Sequence, residues 1–139
     1  MIISLNIKLV YGIYYSEDWQ CELALEESTT LEALHRTIQR AVDFDDDHMF
    51  EFYIARTERS GERQRFECDD SSDMSCQLKD LFPLEKGRKL FYWFDYGDDW
   101  KFQISRSRKK PFVPEPGVKY PRVVSEEGVR PVQYPSVEC

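Results

Sequence analysis

The chain has 139 residues, with 19 Lys or Arg, 26 Asp or Glu and a formal net charge of −7. This length fits one domain, and the negative charge disfavours nucleic-acid binding by the whole surface. No apolar run reaches the ~20 residues of a membrane-spanning helix, and the first residues lack the pattern of a signal peptide. We therefore expect a cytoplasmic protein with no membrane contact.

The four cysteines are widely spaced along the chain. In the expected reducing compartment, this spacing favours free thiols over a disulfide framework or a structural zinc site. They are Cys21, Cys68, Cys76 and Cys139.

The N-terminal third predicts two strands followed by a helix. Apolar residues alternate with polar ones over residues 3–9 and again over residues 19–25, which is typical of two half-buried strands in an antiparallel hairpin. Thr29 and Glu32 match a capping box, so they predict the start of a helix that runs to Val42 and ends near Asp43.

The middle of the chain predicts shorter strands and an aromatic hairpin. Strands are expected at residues 50–54 and 64–67, then an exposed loop at 69–75 and a short helix at 76–82. Residues 90–94 and 100–104 form two strands rich in aromatic residues, joined by an acidic turn in which Gly97 favours a tight reversal. Trp100 begins the second of these strands and is expected to face the core.

Six of the seven prolines lie in the last 29 residues, which predicts an extended segment without regular strand pairing. Its apolar residues should pack along the domain, so we divide the chain into an α+β domain at 1–110 and a packed extension at 111–139. The element order predicts a β-grasp (ubiquitin-like) variant, with a mixed sheet, one main helix and a Pro-rich C-terminal extension.

The chain resembles the Ri-plasmid ORF-three-like proteins, a family also known as TnpR-like passenger proteins of insertion elements. Three blocks carry the resemblance, and the middle block is the most specific. They are Leu31, Leu34, His35, Ile38, Gln39, Ala41, Phe44, Asp47, His48 and Phe52; Leu78, Leu81, Tyr92, Asp95, Tyr96, Gly97, Asp98, Asp99, Trp100 and Ile104; and Tyr120, Pro121, Gly128, Pro131 and Tyr134.

The resemblance implies a compact α+β domain with a ubiquitin-like core and an association with plasmids or mobile elements. It implies little about activity. Family members often carry a histidine two residues after the tryptophan, where this chain has Phe102. This chain therefore lacks the second histidine that a metal role shared with His48 would need.

Three functions are compatible with the residues. We favour a non-enzymatic module that binds a protein partner, because exposed tyrosine and tryptophan near the first hairpin make good anchors. The alternatives are a metal-dependent enzyme or metal-binding protein, and a nucleic-acid accessory protein that uses the basic tract 106–110. No cofactor is expected. The anchor candidates are Tyr11, Tyr14, Tyr15 and Trp19, and the metal candidates are His48, Asp47, Asp95, Asp98 and Asp99.

Overall fold

The computed structural model describes residues 1–135, in which seven strands form one sheet with three helices packed around it. The order along the sheet is β4-β3-β5-β6-β1-β2-β7, and every neighbouring pair is antiparallel. The elements are β1 (Ile2–Tyr11), β2 (Trp19–Glu26), α1 (Leu31–Val42), β3 (Phe50–Ala55), β4 (Gln64–Glu67), α2 (Ser71–Met74), α3 (Leu78–Leu81), β5 (Lys89–Phe94), β6 (Trp100–Arg106) and β7 (Arg122–Gly128).

The predicted α+β, β-grasp class is wrong. The protein is mostly β, its helices have only 12, 4 and 4 residues, and the sheet is antiparallel rather than mixed. The hairpin and helix were located correctly, but the same local order fits several sheet topologies, because local contacts do not determine which strands become neighbours.

Strand β7 is absent from the elements that the sequence predicts. We expected no regular pairing in the Pro-rich segment, yet residues Arg122–Gly128 pair with β2. Pro121 and Pro131 flank this strand without entering it, so its backbone N–H groups remain available for the ladder. The high proline content of the whole segment obscures a stretch of nine residues, 122–130, that contains no proline.

Helix α1 begins one residue later than the capping box predicted. The side chain of Thr30 accepts a hydrogen bond from the Ala33 N–H and is the N-cap, whereas the Thr29 hydroxyl donates to the Glu26 carbonyl at 2.6 Å. The helix ends as expected at Asp43, whose φ of 58° is left-handed. The predicted loop at 69–75 contains helix α2, and the predicted helix at 76–82 is reduced to α3.

The core lies between α1 and one face of the sheet. The apolar stripe of α1 packs with inward residues of β1, β2, β5 and β6, including Trp100, Phe102 and Ile104 of the aromatic hairpin. These three side chains are each at most 1% exposed, so the core position predicted for Trp100 is confirmed. Each large apolar side chain of this kind contributes about 1.5–3 kcal/mol through burial.

A polar network extends from this core to the surface at Asp46. The His35 ring, which stacks on Phe50 at 3.6 Å between centroids, lies 2.5 Å from the Tyr92 hydroxyl and 2.7 Å from the Asp46 carboxylate. Gln39 donates to the same hydroxyl at 2.9 Å. The network pairs buried polar groups that would otherwise be costly to desolvate.

The cysteines within the described residues are free thiols, and burial raises the pKa of Cys21 to about 12. Cys139 lies outside the described residues. None of the helices in residues 1–135 is long and apolar enough to cross a membrane.

Candidate functional site

The turn after α1 and the turn of the aromatic hairpin meet at His48. Asp95 directly follows strand β5 and has a left-handed φ of 61°, and its Oδ1 accepts hydrogen bonds from the N–H groups of Gly97 and Asp98 at 3.1 and 3.2 Å. The other oxygen, Oδ2, lies 3.3 Å from His48 Nε2. Asp95 is 5% exposed, so this carboxylate is oriented from inside the turn and contacts the imidazole at the surface.

The segment of residues 129–135, here called the strap, covers this meeting point. Gln133 accepts from the Asp45 N–H at 2.6 Å and donates to Asp47 at 2.8 Å. The Tyr134 hydroxyl donates to Asp47 at 2.6 Å and lies 2.8 Å from His48 Nε2. Hydrogen bonds therefore hold the C-terminal part of the strap against the turn after α1.

The charges at the strap are coupled through these hydrogen bonds. The hydroxyl of Tyr134 lowers the pKa of Asp47, and Asp47 in turn raises the pKa of Tyr134 to about 12. Burial and the neighbouring Asp95 carboxylate raise the pKa of Asp98. The arrangement favours an ionised Asp47 with a neutral Tyr134 at neutral pH.

The structure brings together four of the five residues predicted as metal ligands. His48 lies between Asp47 and Asp95, at 3.7 and 3.3 Å, and Asp98 is adjacent to Asp95. Asp99 is separate, because its carboxylate accepts a hydrogen bond from the Trp93 indole at 2.6 Å. Among residues 1–135, no group of three or more His, Cys, Asp or Glu side chains is placed to hold a metal ion.

Position 102, where the family resemblance implies a histidine, lies in the core of this protein. Phe102 is fully buried, with its ring edge-on to Trp19 at 6.1 Å and tilted against Tyr92 at 6.0 Å. His48 instead contacts Phe94. A histidine at position 102 would therefore replace a core aromatic that packs against Trp19 and Tyr92.

The anchor candidates divide into exposed and buried residues. Tyr11 and Tyr14 are 42% and 41% exposed, and Tyr15 is partly buried with its hydroxyl bonded to Asp18. The exposure predicted for Trp19 is wrong, since it is 1% exposed. Trp19 alternates with the inward residues of β2, and this pattern predicts a position in the core. The pattern is a better guide to its burial than the tendency of tryptophan to act as an interface anchor.

A small apolar cavity, here called the strap cleft, opens between the first hairpin loop and the strap. Its volume is about 140 Å³. Sequence reasoning missed the contribution of the strap residues, for which the only signal was the apolar content of the C-terminal segment. The cleft is lined by Leu9, Tyr14, Tyr15, Ser16, Glu17, Trp100, Val129, Arg130, Pro131, Val132 and Pro135.

A larger cavity of about 460 Å³ lies beyond α3, away from every predicted site residue. Its lining carries charged side chains of both signs and no His, Cys, Ser or Thr. The lining residues are Ile54, Glu62, Arg63, Gln64, Asp80, Leu81, Pro83, Leu84, Glu85 and Arg88.

Comparisons with known proteins give a family and a structural relative. A family model described as plasmid pRiA4b ORF-3-like protein matches residues 5–133. The crystal structure of MM3350, a protein of unknown function from Methanosarcina mazei Go1, is similar with a TM-score of 0.71 and 21% identity, covering 90% of this chain and 68% of that one. At this identity the likeness shows the fold alone. A comparison with curated proteins gave no match.

Proposed function

Because the chain belongs to the plasmid pRiA4b ORF-3-like family, whose name assigns no activity, we propose its function from its own surface: it is a non-enzymatic module that binds a protein partner at the strap cleft. The match over residues 5–133 confirms the resemblance found in the three sequence blocks. We infer that the partner inserts one apolar side chain between the first hairpin loop and the strap.

The size and lining of the strap cleft carry this proposal. Small-molecule sites usually have volumes of about 300–1,000 Å³, whereas this cleft has about 140 Å³, which suits a single side chain. Tyr14 and Val132 at its mouth are 41% and 62% exposed. Exposed tyrosine beside aliphatic residues is typical of the anchors that dominate protein interfaces.

The strap is also held in place before any partner arrives. Its first residue, Val129, donates its N–H to the Asp18 carbonyl at 3.0 Å, and Gln133 and Tyr134 bond to the turn after α1 at the other end. A wall that is already ordered loses little conformational entropy on binding, which favours affinity.

The residues around His48 give less support to an enzyme. The imidazole already contacts Tyr134 and Asp95, both of which belong to the scaffold that holds the strap. Two cavities have the volume of a small-molecule site, about 460 and 360 Å³, and His48 lines neither of them. The larger one has no His, Cys, Ser or Thr, and in the smaller one burial raises the pKa of the Cys21 thiol to about 12, which disfavours a thiolate nucleophile. The basic tract 106–110 is likewise partly neutralised, because Lys109 pairs with Glu22 at 2.7 Å.

The test is quantitative affinity capture with the cleft altered and the rest of the surface intact. Val132→Asp places a charge at the mouth of the cleft, and Val113→Asp introduces the same charge at an exposed valine outside it. We expect a bound protein that wild type and Val113→Asp retain equally and that Val132→Asp captures about tenfold less. Purified partner should then show the same ranking by calorimetry.

A capture profile that is identical for all three proteins would refute binding at the strap cleft. Folding of each variant is verified by its thermal unfolding midpoint, because both substitutions are at exposed positions and should change stability by only about 0.5 kcal/mol or less.

A further inference from the structure

Strand β7 leaves one edge of the sheet open. It is last in the sheet order, all seven of its residues are exposed, and nothing else within residues 1–135 pairs with its outer edge. Val123 and Val124 remain 44% and 39% exposed on it. The opposite edge is protected, because β4 has only four residues and its Glu67 N–H bonds to Asp73 of α2.

A bulge determines which way the side chains of β7 point. Ser125 pairs with Glu22 and Val123 with Leu23, so Val124 is an extra residue in the strand. Val123 and Glu126 therefore share the helix-covered face with their partners Leu23 and Cys21. Four residues point to the other face of the sheet, away from α1. They are Arg122, Val124, Ser125 and Glu127.

This pattern selects one register for pairing β7 with a second copy of itself. Residues directly opposite each other in an antiparallel pair must point to the same face. In a regular strand the side chains alternate between the two faces of the sheet. Without the bulge, two copies would therefore match faces only when odd-numbered residues pair with odd-numbered ones and even with even. With the bulge, the matching register pairs Arg122 with Glu127, Val123 with Glu126, and Val124 with Ser125. Shifting by one residue mismatches faces at two of the pairs in one direction and at three in the other.

We propose that the chain forms a homodimer by antiparallel pairing of β7 with β7 of a second copy in this register, which makes a continuous fourteen-stranded sheet. The interface is isologous, so each opposed pair occurs twice. The face-matched register places the Arg122 guanidinium opposite the Glu127 carboxylate of the second copy, and the reverse. This opposite-charge pairing is complementary at both ends of the interface.

The remaining contacts are compatible with this arrangement. Glu127 accepts a hydrogen bond from Gln20 through Oε2 at 2.7 Å, which leaves Oε1 for the second copy. A seven-residue edge buries little area, so the dimer should be weak and should form at high micromolar concentration. Its surface is separate from the strap cleft, and the proposal does not depend on the function assigned to that cleft.

Sedimentation equilibrium of the full chain over about 10 μM to 1 mM tests the proposal, with reversal of each charge. Arg122→Glu makes the net charge more negative and Glu127→Arg makes it less negative, so general repulsion would change dimerisation in opposite directions. Strand pairing predicts that both single variants weaken the dimer about fivefold or more. The double variant Arg122→Glu/Glu127→Arg restores the pairs and the net charge, and should return to within about twofold of wild type.

Arg108→Glu is the matched control, since it makes the same charge change at an exposed position outside β7 and should leave the dimer constant within about twofold of wild type. A chain that remains monomeric at 1 mM would overturn the proposal. So would a dimer that survives both single reversals, one that follows net charge across the variants, or a double variant that stays as weak as the singles.

Discussion

At the residue scale, the Tyr92 hydroxyl is the centre of the polar network. It is the partner of both the His35 ring and the Gln39 amide, and Tyr92 is fully buried. Tyr92→Phe removes this partner and leaves two buried polar groups unpaired. We expect a loss of about 1–3 kcal/mol in the free energy of unfolding, measured by urea denaturation.

Tyr11→Phe is the control for that substitution, because it removes a hydroxyl from a side chain that is 42% exposed. It should change stability by only about 0.5 kcal/mol or less. Equal effects of the two substitutions would show that the network adds no stability.

Burial also lowers the pKa of His35 from its ordinary 6.5. A His pKa depressed by folding gives stability that is present above pH 6.5 and is lost as the pH falls through the folded-state value.

A single substitution also tests the hydrogen bond between the Tyr134 hydroxyl and Asp47. It is the largest cause of the lowered pKa of Asp47. Tyr134→Phe should raise the pKa of the Asp47 carboxyl toward its ordinary 3.8, as measured by NMR titration of the side-chain carboxyl. Since a depressed Asp pKa contributes stability above pH 3.8 that is lost at lower pH, the variant should also lose less stability on acidification than wild type.

An Asp47 titration that is the same in both proteins would show that the hydroxyl does not bond the carboxylate in solution. Tyr120→Phe serves as the comparison, because its hydroxyl accepts from the Glu115 N–H, away from this site.

At the element scale, Gly128 connects β7 to the strap. Its φ is +87°, and a Cβ there would lie 2.0 Å from the Asp18 carbonyl oxygen, in the same backbone that receives the Val129 N–H. Gly128→Ala should therefore displace the strap. We expect faster amide exchange at Val129 and weaker partner binding at the strap cleft, while amides of the central strands exchange at wild-type rates.

Gly61→Ala is the matched control, since a Cβ at Gly61 meets nothing within 4 Å. Unchanged exchange at Val129 in the Gly128 variant would mean that the strap is held from its far end alone, through Gln133 and Tyr134. Loss of protection in the central strands would mean instead that the strap and the sheet unfold as one unit.

The elements also show how far the sequence could predict the fold. Period-two alternation identified β1, β2 and the aromatic hairpin, and the helical spacing after Thr30 identified α1 to its last residue. These patterns involve residues that are close together in the chain, so they can be recognised without knowing which strands pair. The order of strands in the sheet depends on contacts between residues far apart in the chain, and no spacing within 1–110 encodes it.

The site was less predictable than the strands for the same reason. The distance between His48 and Asp95 depends on how two separate turns are placed by β3 and β5, which pair with Phe50 opposite Phe94. The strap cleft depends on a C-terminal segment crossing to a loop more than 100 residues earlier. Residue types predicted an aromatic surface near the first hairpin, but its second wall could be seen only in the structure.

At the scale of the whole molecule, metal addition discriminates between an interaction module and a metal-dependent protein. A site with a dissociation constant of about 10 μM would stabilise the fold by about 2.7 kcal/mol in 1 mM metal, which is a shift of several degrees for a chain of this size. Among residues 1–135, the candidate ligands already have other hydrogen-bond partners, because Asp99 is bonded to Trp93, and His48 and Asp47 are bonded to Tyr134.

We therefore expect Mn²⁺, Zn²⁺ and Mg²⁺ at 1 mM each to leave the unfolding midpoint within about 1 °C of the metal-free value. His48→Ala identifies the source of any shift that does occur. A stabilisation seen in wild type and lost in this variant would contradict the module and would make His48 a metal ligand. A shift that persists in the variant would indicate binding elsewhere, such as at the free thiol of Cys68, and would not bear on the proposal that a partner binds at the strap cleft.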